Sequence, residues 1–161
     1  MSRFLLDSDV IIWHLRGRKE VTEMLRNLQR FGLPACSALS VLEVQLGVKK
    51  GEEEKTDRFL KSLRIFDVNM EIANHAAGLI REYRTKGVTI DLPDAIIAST
   101  CILHDLILVT YNPKHYPVGE LKFHPLPQTN PWFSYNLLTS NTNFLPSLNI
   151  KVWLLYGNKQ I

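Results

Sequence analysis

Short runs of contiguous apolar residues alternate along the chain with longer stretches in which apolar positions recur every three or four residues. The first pattern suits strands buried on both faces, the second amphipathic helices. A strand is predicted at 3–6 (RFLL), feeding a helix over 9–15. Residues 20–30 place Val21, Met24, Leu25 and Leu28 on one helical face, and Gly32 and Pro34 punctuate the approach to a strand at 35–37. Ser40 opens a predicted helix that runs to Lys49, and Gly51 breaks it. Residues 52–63 form another helix with Phe59, Leu60 and Leu63 inward, and a strand follows at 65–68. The most periodic helix covers 71–86, with Ile72, Ala76, Leu79, Ile80 and Tyr83 on one stripe and Gly87 as its stop. From Asp94 the run AIIASTCIL is apolar almost all round, as in a helix packed on both sides. LILVT at 106–110 reads as a buried parallel strand, and a last strand is predicted at 121–123. This alternation predicts an α/β domain with a central, mainly parallel sheet of five strands.

Length and composition limit the organisation. The 161 residues, 45% hydrophobic and 22% charged, suit one folded domain with room for a short appendage. All 16 acidic residues and 17 of the 19 Lys and Arg precede Gln128, leaving only Lys151 and Lys159 beyond it. The chain therefore divides into a domain at 1–127 and an extension at 128–161. The extension contains a strand-like run, IKVWLLY at 150–156. It reads equally as an added strand, a docking segment or a non-native tail. No run approaches the roughly 18–20 apolar residues of a membrane-spanning helix. The N-terminal MSRFLLDSDVII, with two acids in its apolar run, lacks the form of a secretory signal. A cytoplasmic protein is expected, with Cys36 and Cys101 as reduced core thiols. A net charge of +3 permits a polyanionic partner without identifying one.

The candidate chemistry is acidic. Asp7 directly follows a buried strand, so it should emerge at the carboxyl edge of the sheet, where open α/β folds bind ligands. Asp9 falls in the first turn of the next helix, where complementing the helix dipole is reason enough for a carboxylate. Glu43 fits a capping box with Ser40 as N-cap. Asp91 fits an N-cap, with Pro93 and Asp94 in the first turn behind it. Each has a structural explanation alone, yet three helix starts bringing carboxylates to one sheet edge suggest an acidic cluster. Converging carboxylates repel one another unless a cation neutralises them. Oxygen ligands favour a hard ion, Mg²⁺ or Mn²⁺, and the chemistry that follows is hydrolysis at phosphorus by an activated water. The five histidines lack metal-binding spacing, and His115 reads as a surface residue. Trp13 reads as a core aromatic or part of a subunit contact. Arg16, Arg18, Lys19, Lys49 and Lys50 suit helix ends or RNA contacts.

LLDSDVII, SALSVLEV, LPDAIIAST and LVTYN, in this order, resemble the successive acidic motifs of PIN-domain ribonucleases, in particular VapC-type toxins. The resemblance spans about residues 3–125 and implies a three-layer α/β/α fold around the sheet. It implies Mg²⁺- or Mn²⁺-dependent endonucleolytic cleavage of structured RNA such as tRNA or rRNA, leaving a 5′-phosphate and a 3′-hydroxyl. Asp7 matches the first family acid, Glu43 the second and Asp94 the third, with Asp91 a neighbour rather than a core ligand. Asn112 stands where a fourth acid or amide is common, and His115 where Asp is frequent. Both departures thin the charge expected of a second metal. Thr110 would assist as a hydroxyl donor, or simply end its strand. The resemblance also implies a homodimer and a cognate antitoxin whose basic side chain enters the acidic pocket.

Two other readings use part of the pattern. A haloacid-dehalogenase-type phosphatase would use Asp7 as nucleophile and Asp9 as general acid, but it expects Thr or Val at Ile11 and leaves Glu43 unexplained. A non-catalytic PIN-like module would bind RNA or protein without cleaving.

Overall fold

The computed structural model describes residues 2–126. The extension beginning at Gln128 and its strand-like run at 150–156 lie outside the described residues. Elements follow in the order β1 (Phe4–Leu6), α1 (Ser8–Leu15), α2 (Lys19–Leu28), a 3₁₀ turn (Gln29–Phe31), β2 (Ala35–Ser37) and α3 (Ala38–Leu46). Then come α4 (Glu53–Lys61), β3 (Arg64–Phe66), α5 (Met70–Thr85), α6 (Leu92–Leu103), β4 (Ile107–Val109), a second 3₁₀ turn (Pro113–His115) and β5 (Lys122–Phe123). Among the described residues, five strands form one parallel sheet in the order β3-β2-β1-β4-β5.

Strand alternation explains why both faces of the sheet are covered. Phe4, Leu6, Cys36 and Val109 join a core cluster with residues of α1, α2, α3 and α4. Leu5, Ala35 and Leu108, each offset by one position, join a second cluster with α5 and α6. The three layers follow from this parity, since successive side chains leave a strand on opposite faces. Leu5, Leu6 and Leu108 have no exposed surface. Each such side chain contributes roughly 1.5–3 kcal/mol by leaving water, so β1 and β4 are the rigid centre of the fold. Among the described residues no helix is long and apolar enough to cross a membrane.

The expected elements are present, with shifted ends, and one shift changes the reading of a site residue. Helix α3 does not start at Ser40. β2 runs into it without a loop, so its last residue, Ser37, becomes the N-cap and its Oγ accepts from the Leu39 amide at 3.2 Å. Ser40 lies inside the helix, fully buried, and its Oγ has no hydrogen-bond partner among the described residues. The capping box with Glu43 therefore does not form, and Glu43 stands half-buried in the second turn. At α6 the predicted arrangement holds in backbone terms. Asp91 is the extended N-cap residue, Pro93 lies in the first turn and Asp94 behind it, although the Asp91 side chain makes no capping hydrogen bond.

Candidate active site

The strand order creates the site. From β1 the chain moves out to β2 and β3 on one side, then returns to β4 on the other, so the carboxyl ends of β1 and β4 flank the crevice where connections diverge. Leu6 is in register with Val109. The next residue on each strand is polar, Asp7 beside Thr110, and the Asp7 amide donates to Val109 O at 3.0 Å.

Asp7 is completely buried and also caps α1. Its Oδ1 accepts from the Ser8 amide at 2.7 Å and faces Ser8 Oγ at 3.4 Å. Its Oδ2 accepts from Thr110 Oγ1 at 2.9 Å and from the Tyr116 hydroxyl at 2.8 Å. Donors thus meet both carboxylate oxygens at the N-terminus of α1.

Asp9 is equally buried. Its Oδ2 accepts from the Tyr111 amide at 3.0 Å and from Asn112 Nδ2 at 3.1 Å, with Thr110 Oγ1 at 3.4 Å. Complementing the helix dipole is thus only part of its role, because it fastens the segment after β4 to the first turn of α1. Thr110 is more than a strand end. Its hydroxyl lies between Asp7 and Asp9 and accepts from the Asn112 amide at 3.0 Å.

Asp94 is buried, with 5% of its side chain exposed, and His115 Nδ1 lies 3.8 Å from its Oδ2. The expectation of a surface His115 fails, since its side chain is only 14% exposed. The 3₁₀ turn after β4 folds back over the sheet edge and carries it inward. Glu43 is on α3, which packs against both α1 and α6. Asp91 is half-buried at the start of α6.

Tyr116 is the site residue that sequence reasoning missed. Burial first, then the charges of Asp7 and Asp94, push its hydroxyl well above the ordinary tyrosine range, with Asp9 adding to the effect. Three acids therefore act on one buried phenol. Nothing local distinguishes it, because a tyrosine in a turn normally packs its ring and leaves its hydroxyl in water. Tyr111 is similarly affected, pushed up to about 12 by burial and then by Asp9 and Glu20, against the opposing charge of Arg18. Trp13 is half-buried against the α1–α4 core cluster, with the Arg18 guanidinium 4.0 Å from its ring centre.

Known proteins resemble this chain in sequence and fold. The PIN domain family matches residues 4–121. Ribonuclease VapC10 of Mycobacterium tuberculosis is 36% identical over 116 residues, covering 72% of this chain and 87% of that protein. Ribonuclease VapC19 of the same organism is 32% identical over 115 residues, covering 71% of this chain and 92% of the relative. Among solved structures, VapBC2 from Rickettsia felis bound to a DNA fragment from its promoter superposes with a TM-score of 0.69 at 27% identity, over 77% of this chain and 98% of that one. A PIN match across most of the chain, curated VapC relatives and a five-stranded parallel sheet with Asp7 at its carboxyl edge agree: the chain belongs to the PIN-domain family and is of the VapC type.

Proposed function

We propose that this protein is a divalent-metal-dependent endoribonuclease and the toxin of a VapBC-type pair. The observation that carries the reading is Asp7, a fully buried carboxylate at the fold's switch point with hydrogen-bond donors on both oxygens. A buried anion of that kind is costly for a domain to keep unless the charge has a use. Similarity to named ribonucleases supports RNA as substrate, with tRNA or rRNA the expected targets. Likeness to a VapBC complex supports an antitoxin partner. A homodimer is part of the same proposal.

The donors fit a hard cation. Among the described residues no three acidic, histidine or cysteine side chains stand close enough to enclose an ion. Mg²⁺, however, commonly takes only one or two carboxylates and completes its shell with water and substrate phosphate. Asp7 and Asp94 act on one buried hydroxyl, and both are oxygen donors. Asp7 and Asp94 would hold the ion directly, with Glu43 reaching it through bound water, Asp91 beside them and Asn112 at the fourth position of the motif. When bound, Mg²⁺ or Mn²⁺ would supply a Lewis acid that makes water nucleophilic near neutral pH and offsets charge on the phosphate. The chain's own part is positional. Ser8 and Thr110 hold the Asp7 carboxyl group in place, and Asp9 anchors the segment bearing Asn112. In the resting pair, a basic antitoxin side chain would neutralise the same acids.

The test is cleavage of total tRNA and rRNA by purified protein with Mn²⁺, Mg²⁺ or EDTA, beside Asp7→Asn and Asp94→Asn. Discrete fragments that need metal and vanish in both variants are expected. Fragments that persist in EDTA and in both variants, or no cleavage of either RNA class, would overturn the reading.

A further inference from the structure

We infer that Tyr116 is a positioning residue for the Asp7 carboxylate, its hydroxyl holding Oδ2 in the orientation that cation binding at Asp7 requires. The inference rests on the metal-dependent reading above and assigns a role to a residue outside the motif acids. Its geometry is direct, with the Tyr116 hydroxyl 2.8 Å from Asp7 Oδ2 across 109 residues of sequence.

The second donor to that oxygen is shared. Thr110 has one hydroxyl proton, and its oxygen lies 2.9 Å from Asp7 and 3.4 Å from Asp9 while accepting from the Asn112 amide. Tyr116 faces Asp7 at shorter range. Its ring is also held in place. It packs in the α5–α6 core cluster with Leu5, Leu108 and Val118 and meets the Phe123 ring edge-on at 6.4 Å. The turn that bears it is closed by hydrogen bonds from the His115 amide to Asn112 O and from the Tyr116 amide to Pro113 O, both 3.0 Å. A ring fixed by a core has little rotamer freedom left to lose, so its hydroxyl is placed before any ligand arrives. Phenylalanine would fill the same apolar shell without bringing a hydroxyl out of water. The hydroxyl is therefore accounted for by the carboxylate it faces rather than by packing. Hydrogen-bond partners of metal-ligating carboxylates tune affinity in this way, and losing one typically costs about 10- to 100-fold in metal affinity or activity.

The experiment measures Mn²⁺ binding by calorimetry on the full chain, with thermal melting in EDTA as the check of folding. Wild type, Asp7→Asn, Tyr116→Phe and a protein carrying 4-aminophenylalanine at position 116 are compared. The amino group keeps the shape and a weaker donor. Wild type should bind Mn²⁺ and Asp7→Asn should not. Tyr116→Phe should melt as a folded protein and bind about tenfold or more weakly. The 4-aminophenylalanine protein should lie between them, and in cleavage assays kcat should fall while KM for RNA holds. Tyr116→Phe binding as tightly as wild type would overturn the inference and leave the metal-dependent reading intact. If Tyr116→Phe does not fold, 4-methylphenylalanine at position 116, which keeps the shape and has no donor, takes its place, and binding by that protein with wild-type affinity overturns the inference equally. Absence of Mn²⁺ binding by wild type would overturn both.

Discussion

Asn112 donates from Nδ2 to Asp9 Oδ2 at 3.1 Å, joining the segment after β4 to the first turn of α1 across 103 residues of sequence. The family pattern often has an acid where this chain has Asn112. Here the amide is a donor that an acid could not replace at neutral pH, because two carboxylates at that distance repel.

Asn112→Asp should therefore destabilise the metal-free protein. At pH 7.5 in EDTA the expected loss is about 1–3 kcal/mol, from one hydrogen bond to a charged group replaced by like-charge contact. The sign with pH follows from the pair's shared proton. Repulsion raises one carboxyl pKa above its unfolded value, so the folded variant binds more protons than the unfolded chain and recovers stability as pH falls toward 5. Urea denaturation of both proteins between pH 5 and 8 reads this directly. Equal stability throughout would show that Asp9 and Asn112 do not interact as described.

The displaced start of α3 gives a second, purely structural test. Ser37 caps the helix and Ser40 does not. Ser37→Ala should cost about 1 kcal/mol, in line with the loss of other N-cap hydroxyls. Ser40→Ala should be neutral or slightly stabilising, since it removes a buried hydroxyl without a hydrogen-bond partner among the described residues. The reverse order of midpoints in a denaturant titration would restore the capping box to Ser40 and Glu43.

These two serines show where the sequence was legible and where it was not. Alternating apolar parity in FLL, ACS and LILV announces strands buried on both faces, and the three layers follow from local pattern. Asp7 was legible for the same reason, as the first polar residue after a buried strand. The helix start after Ala35–Ser37 was not, because two serines three residues apart both look like caps. Only the direct run of strand into helix chooses between them. Tyr116, His115 and the shared Thr110 hydroxyl depend on how the turn after β4 folds back across the sheet edge. That arrangement comes from strand order and long-range register, which leave no periodic trace.

Both cysteines are free and buried, Cys36 in β2 and Cys101 in α6. Burial pushes the Cys36 thiol up to about 12 and raises Cys101 further, with the charge of Asp7 adding to the effect there. The reactive thiolate is thus scarce in the native protein. Ellman's reagent at pH 8 should find no rapidly reacting thiol in the folded chain and two after denaturation. Rapid native labelling of either cysteine would contradict the packing of its element.

His14 supplies the pH dependence. Its Nδ1 lies 3.0 Å from Thr22 Oγ1, whose own proton goes to the Arg18 carbonyl at 3.1 Å, so the ring donates through Nδ1. The ring also packs at 4.4 Å against Phe59. Burial first, then the charges of Lys55 and Arg26, hold its pKa below the ordinary 6.5. The unfolded chain therefore binds this proton more readily than the folded one. Stability contributed by neutral His14 is fully present above pH 6.5 and declines as pH falls toward the lower folded-state value. His124 is lowered by burial in the same direction, so part of the decline belongs to it. Melting temperatures of wild type and His14→Gln between pH 7.5 and 5.5 separate the two contributions. Wild type should lose stability over that interval, and His14→Gln, which keeps a hydrogen-bonding end without a titrating ring, should lose less. Parallel curves for the two proteins would mean that His14 takes up its proton as easily in the folded chain as in the unfolded one.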